Sequence, residues 1–96
     1  MNSNEVPTPK NPVRRKQVLR TLLEVLAMAA PYALEEEAMF RMVNDLLRPP
    51  LQFGERGPTL TQLRTQKFIV QVEDSLDPEL RQFALTDLGK TFLATR

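Results

Sequence analysis

The chain has no cysteine, no histidine and no tryptophan, and only three glycines and one tyrosine among its 96 residues. Without cysteine no disulfide can form, and nothing points to an oxidising compartment. Without histidine the commonest general base and the commonest transition-metal ligand are both missing. A catalytic site would need carboxylates, lysine, serine or tyrosine, and nothing in the sequence fixes two of Glu24, Glu35 and Asp45 at a working distance. The carboxylates show no metal-ligand spacing, and there is no glycine-rich phosphate cradle. The expectation is a protein that is not an enzyme and carries no cofactor and no metal.

Long apolar runs are also missing. Residues 14–30, RRKQVLRTLLEVLAMAA, start basic and end in an AMA that imitates a signal-peptidase site, but Arg20 and Glu24 interrupt the apolar middle. A secretory segment needs a clean apolar stretch, and a membrane span needs roughly twenty such residues. The expected location is cytoplasmic, without membrane association.

With 42% apolar residues the chain can fill one core of two packed layers, and its length fits one domain. The net charge of +1 conceals a division along the chain. Residues 1–20 set Lys10, Arg14, Arg15, Lys16 and Arg20 against Glu5, a net +4. Residues 21–50 come to −3, residues 51–70 to +2 and residues 71–96 to −2. Such patterning allows one side of the molecule to face a polyanion.

Residues 1–11, with Pro7, Pro9 and small polar side chains, are expected to form a flexible arm, leaving 12–96 as the folded domain. Asn11 before Pro12 has the chemistry of a helix N-cap followed by proline at the first helical position. Val18, Leu19, Leu22, Leu23, Leu26 and Ala30 then mark an amphipathic helix that ends before Pro31. A second helix is expected over 34–47, with the stripe Leu34, Ala38, Met39, Met42, Val43, Leu46 and Leu47. Glu35, Glu36 and Glu37 crowd its first turn, where they suit the helix dipole and could also form an acidic partner surface.

Arg48-Pro49-Pro50 stops that helix, and RPPLQFGERGP, residues 48–58, reads as a loop pinned to the core by Leu51 and Phe53. Thr59 with Gln62 has capping-box spacing, predicting a short third helix over 59–66. FIVQV, 68–72, and LRQFAL, 80–85, read as a hairpin around an acidic turn, Glu73-Asp74-Ser75-Leu76-Asp77-Pro78. Thr86 then caps a closing helix from Asp87, with Leu88, Phe92 and Leu93 as its stripe. Met28, Met39 and Met42 read as core fillers. Phe40 and Tyr32 suit either the core or a dimer surface.

The expected class is therefore α+β and mostly α: three helices, a β-hairpin and a C-terminal helix. LTQLRTQKFI, the charged hairpin and LTDLGKTFL together resemble a winged helix-turn-helix domain, similar to small bacterial transcriptional regulators of the MarR and PadR kind. The resemblance covers residues 13–94. It implies duplex DNA as partner, with the third helix in the major groove and the wing on the backbone or minor groove. Carried onto this chain, Thr61, Gln62, Arg64, Thr65 and Gln66 would face the bases, with arginine suited to guanine and glutamine to adenine. Arg14, Arg15, Lys16 and Lys67 would hold phosphates, and Thr59 would turn backbone N–H groups toward one. A homodimer is expected. The eleven-residue connection before the third helix exceeds a helix-turn-helix turn, the wing tip is acidic, and Lys67 stands where the pattern has glycine. The alternative is a winged-helix module that binds protein through the acidic wing and the 48–58 segment, without DNA.

Overall fold

The computed structural model describes residues 11–73, 76, 77 and 79–95. The expected arm at 1–10 and three residues of the acidic turn, Asp74, Ser75 and Pro78, lie outside the described residues. Asn11 belongs to the first helix rather than to the arm. Its side chain accepts from the amides of Val13 and Arg14, capping α1 (Pro12–Ala29) with proline at its first position. One face of α1 is shut away from water, through Val18, Leu22, Leu23, Val25 and Leu26. This helix packs on all three other helices and on the sheet, so it forms the spine of the core.

The second helix begins two residues later than its apolar stripe implies. Leu34–Glu35 forms a short strand, β1, and α2 runs Glu36–Leu46. The cap decides this: Glu35 has extended backbone, and its carboxylate accepts from the Glu37 amide at 3.1 Å. An extended N-cap residue beside an open strand edge is free to pair with it. Leu34 accordingly lies opposite Phe83 of β3 (Arg81–Leu85). The other side of β3 pairs with β2 (Ile69–Glu73), Ile69 opposite Leu85 and Glu73 opposite Arg81. The three strands form an antiparallel sheet in the order β1-β3-β2. An ion pair of 2.7 Å from Arg81 to Glu36 ties the turn end of the hairpin strands to the start of α2.

The core joins the α1 stripe to Met39, Phe40, Val43 and Leu47 of the α2 region, Leu60 and Leu63 of the third helix, and Ile69 and Phe83 of the sheet. Phe40 is therefore a core residue, whereas Tyr32 is 76% exposed. Met28 is not a core filler. It stands 62% exposed, because it falls outside the buried arc of α1.

The largest difference from expectation is the third helix. Residues 48–58 are not all loop: α3 runs Phe53–Thr65, with Pro58 inside it. Helices reject interior proline partly because the ring crowds the preceding residue's Cβ, and here that residue is Gly57, which has none. Gly54 and Pro58 are both exposed, where water can bond the Gly54 carbonyl that Pro58 leaves without an amide donor. Glu55 closes the first turn by accepting from the Gln52 amide at 2.8 Å. The connection from α2 shortens to residues 47–52, and Phe53, 84% exposed, does not pin it. Leu51 does pack against the core.

At its far end α3 closes in a Schellman motif. The Phe68 amide donates to the Leu63 carbonyl and the Lys67 amide to that of Arg64, both at 3.0 Å. Lys67 takes the left-handed conformation this motif needs, with φ 65°, in the place where glycine would sit without strain. The next corner is equally tight. The Thr86 hydroxyl lies 2.7 Å from the Lys67 carbonyl and 3.0 Å from that of Phe68, and it accepts from the Gly89 amide as N-cap of α4 (Asp87–Ala94). A Cβ on Gly89 would strike the Phe68 carbonyl oxygen and lie 2.7 Å from Leu85 Cδ1.

These two sites predict opposite changes in one urea titration. Lys67→Gly is expected to stabilise by about 0.5–1 kcal/mol, since relief of left-handed strain exceeds glycine's entropy cost. Gly89→Ala is expected to destabilise by about 1–3 kcal/mol, because the carbonyl it meets is backbone and is held by Thr86.

Candidate nucleic-acid interface

The exposed side of α3 is built from helical spacing. Gly57, Thr61 and Arg64 follow one another at four and three residues, with Pro58 and Thr65 beside them, and all are exposed. Gln66 and Lys67 continue that exposed surface past the helix end. Of the expected base-facing residues, Thr61, Arg64 and Thr65 therefore share one outward face. Gln62 does not. It is half-buried and lines a groove of about 290 Å³ between α1, α3 and α4.

The same groove brings the basic start of α1 against α3. Arg15 and Lys16 stand with Gln62 and Gln66 around its walls, while Leu19, Phe68 and Phe92 supply apolar surface. The Phe68 and Phe92 rings stack at 4.7 Å between centroids, fastening α4 to the end of α3. Arg15 and Lys16 are exposed, so positive charge from α1 flanks the polar face of α3.

Two expected DNA contacts are instead parts of the fold. Arg14 donates through Nε and Nη2 to the two carboxylate oxygens of Glu55, each at 3.0 Å. It also donates to the carbonyls of Pro49 at 2.9 Å and Pro50 at 3.1 Å. Four of its five N–H groups are thereby committed within the chain. Thr59 is buried in the middle of α3, not at its start, and its hydroxyl donates to the Glu55 carbonyl at 2.7 Å. Neither side chain is presented to a phosphate. In both cases the cause is the earlier helix start, which places Glu55 in the first turn and Thr59 one turn further in.

Glu55 is 3% exposed, so its charge depends on the guanidinium. The Arg14 hydrogen bonds hold its carboxyl below the ordinary glutamate value against the opposing effect of burial, with the Gln52 amide assisting. A carboxylate of this kind contributes stability that is present above its unfolded pKa and is lost as pH falls through the lower folded value.

Arg56 was not legible as a site residue, because the segment around it has the proline and glycine content of a loop. It lies in the second turn of α3, with its guanidinium carbon 4.7 Å from the Phe40 ring centroid and 5.7 Å from that of Phe53. Its Nη1 lies 3.4 Å from Glu37. Arg48 is committed to the end of α2, donating to the carbonyls of Asn44 at 2.9 Å and Leu47 at 2.8 Å. Among the described residues no group of three or more acidic, cysteine or histidine side chains could hold a metal ion. Among the described residues no helix is long and apolar enough to cross a membrane.

This arrangement of a spine helix, an exposed third helix, a hairpin and a closing helix is similar in fold to two solved structures. The chain is similar to a PadR-like transcription factor from B. fragilis, with TM-score 0.68 and 20% identity over 88% of this chain and 81% of that one. It is also similar to H. salinarum RosR, with TM-score 0.65 and 21% identity over 80% of this chain. The fold is a PadR-like winged helix. In that fold β2 and β3 form the wing hairpin. The chain spans 66% of the RosR chain, just under two thirds of its length. No family model and no curated protein matches the sequence.

The Arg14–Glu55 contact predicts a specific pH behaviour. Arg14→Ala is expected to cost about 3 kcal/mol at pH 7, since it strands a buried carboxylate. The gap from wild type should narrow as pH falls through the carboxylate range, because the stranded Glu55 of the variant, raised by burial, takes up a proton in the folded state before the wild-type carboxylate that Arg14 holds low. Urea unfolding at stepped pH measures it; a gap that stays constant down to pH values well below this range would refute the assignment.

Proposed function

We propose that this chain is a DNA-binding winged-helix transcriptional regulator whose α3 enters the major groove. The observation that carries the reading is the outward face of α3, where Thr61, Arg64 and Thr65 stand exposed with Lys67, flanked by Arg15 and Lys16. Arg64 suits bidentate contact with guanine, and the two threonines suit either base pair. Arg15, Lys16 and Lys67 hold phosphates, which sets the helix in register without reading sequence. The likeness to a structure described as a PadR-like transcription factor supports the same reading. A cytoplasmic, non-enzymatic protein follows from it.

Titration of labelled mixed-sequence duplex at two salt concentrations is the decisive experiment. Binding should fall steeply as salt rises, as phosphate contacts release counterions. On a selected site, Arg64→Ala should cost about 1–3 kcal/mol and relax specificity at one position. Absence of binding at low salt by the folded chain would favour the alternative, a protein-binding module without DNA.

We also propose that the chain forms a homodimer through α1 and α4. Leu88 and Phe92 are exposed one turn apart on α4, and Leu19, Arg20 and Phe92 line a second groove of about 330 Å³ between these helices. Leu88→Glu should shift the chain from dimer to monomer in sedimentation equilibrium; an unchanged mass would exclude this surface.

A further inference from the structure

The wing carries a charge of the wrong sign for a nucleic acid and an open strand edge. β2 is the outer strand of the order β1-β3-β2, so the side away from β3 has no ladder partner among the described residues. Natural edges of this kind are blunted by lysine, proline or a bulge. Ile69–Glu73 reads IVQVE, with neither lysine nor proline, and pairs with β3 in unbroken register. Val70 and Val72 are both exposed on one face of the strand, opposite Ala84 and Gln82. On the other face Gln71 leads to Glu73 at the strand end. The sequence over residues 69–81 holds four acidic residues, Glu73, Asp74, Asp77 and Glu79, and one basic residue, Arg81, which is bound to Glu36.

We propose that β2 accepts an extended basic segment of a partner protein as a fourth strand of the sheet. Alternation in the strand sorts the partner's side chains. Its apolar residues lie beside Val70 and Val72, and its lysines or arginines lie on the face of Gln71 and Glu73, toward Asp77 and Glu79. Main-chain bonds along β2 provide affinity, and the charges select the partner. Duplex DNA is disfavoured because its phosphates meet the carboxylates. A second copy is disfavoured because it brings a hairpin with the same net charge of −3 over residues 69–81. The proposal does not rest on DNA binding, since α3 and the edge of β2 are separate surfaces.

The test uses the full chain and a fluorescein-labelled heptapeptide that alternates lysine with valine. A second peptide has the same side chains but N-methyl groups on alternate amides, so it keeps its charge and cannot complete a ladder. Saturable binding of the first is expected, weaker by about tenfold or more for the methylated peptide. The double variant Glu73→Lys, Glu79→Lys should lose affinity by a similar factor, and amide exchange at Val70, Gln71 and Val72 should slow when the first peptide binds. Equal affinity for both peptides would mean charge attraction alone and overturn strand addition, as would absence of binding. Protection of the β2 amides that grows with protein concentration, without peptide, would assign the edge to a second copy and overturn the basic partner. Should the double variant melt early, the comparison of the two peptides on the wild-type chain decides.

Discussion

The structure depends first on one buried carboxylate. Glu55 sits in the first turn of α3 with almost no exposure, and taking such a charge from water is costly unless its oxygens are fully bonded. Arg14 provides that bonding with a two-pronged contact and donates two further N–H groups to the carbonyls of Pro49 and Pro50. The start of α1 must therefore be in place together with the proline connection and the start of α3, some 35 to 41 positions along the chain. The geometry is specific, because a planar guanidinium matches a carboxylate in few orientations. Among the described residues no buried side-chain polar atom lacks a partner, so the contact leaves no uncompensated group behind.

The other end of α3 is held with equal economy. Lys67 turns the chain, Phe68 offers its carbonyl to Thr86, and Gly89 lets α4 approach that carbonyl closely. The stacking of Phe68 on Phe92 adds an apolar fastening at the same corner. Held at both ends and packed through Leu60 and Leu63, α3 can expose its remaining face without needing contacts there. The result is a helix fixed by its ends and its buried face, with outward residues that the core does not use.

Charge separates the two exposed features of the domain. Arg15, Lys16, Arg64 and Lys67 lie around α3, whereas the hairpin ends in carboxylates. A polyanion approaching α3 gains from the first group and loses from the second. A partner for the wing should have the opposite preference. One small domain thus offers two surfaces that need not compete for the same kind of ligand.

Much of the element order was legible because its signals are local. Asn11-Pro12 and Thr86-Asp87 cap helices with side chains that accept from amides two or three residues on, and FIVQV carries its strand preference in its own β-branched residues. The stripe on α1 predicted its buried face in the same way. The start of α3 was not legible, because FGERGP has the composition of a turn and becomes helical only where Glu55 finds Arg14 across 41 positions of chain. Leu34–Glu35 became strand because β3 offered an edge, and Phe40 and Met28 took their places from the packing around them rather than from their type. On the candidate interface, residue type predicted which side chains could contact DNA, while burial decided which are presented. Arg14 and Thr59 are withdrawn into the fold, whereas Arg64 and Thr61 are exposed. Thus the sequence by itself determined the capped ends, the apolar stripes and the divided charge, each set by interactions within a few residues. Only the tertiary structure decided where α3 begins and which polar side chains remain outside, because a buried charge and its partner must be brought together from opposite parts of the chain.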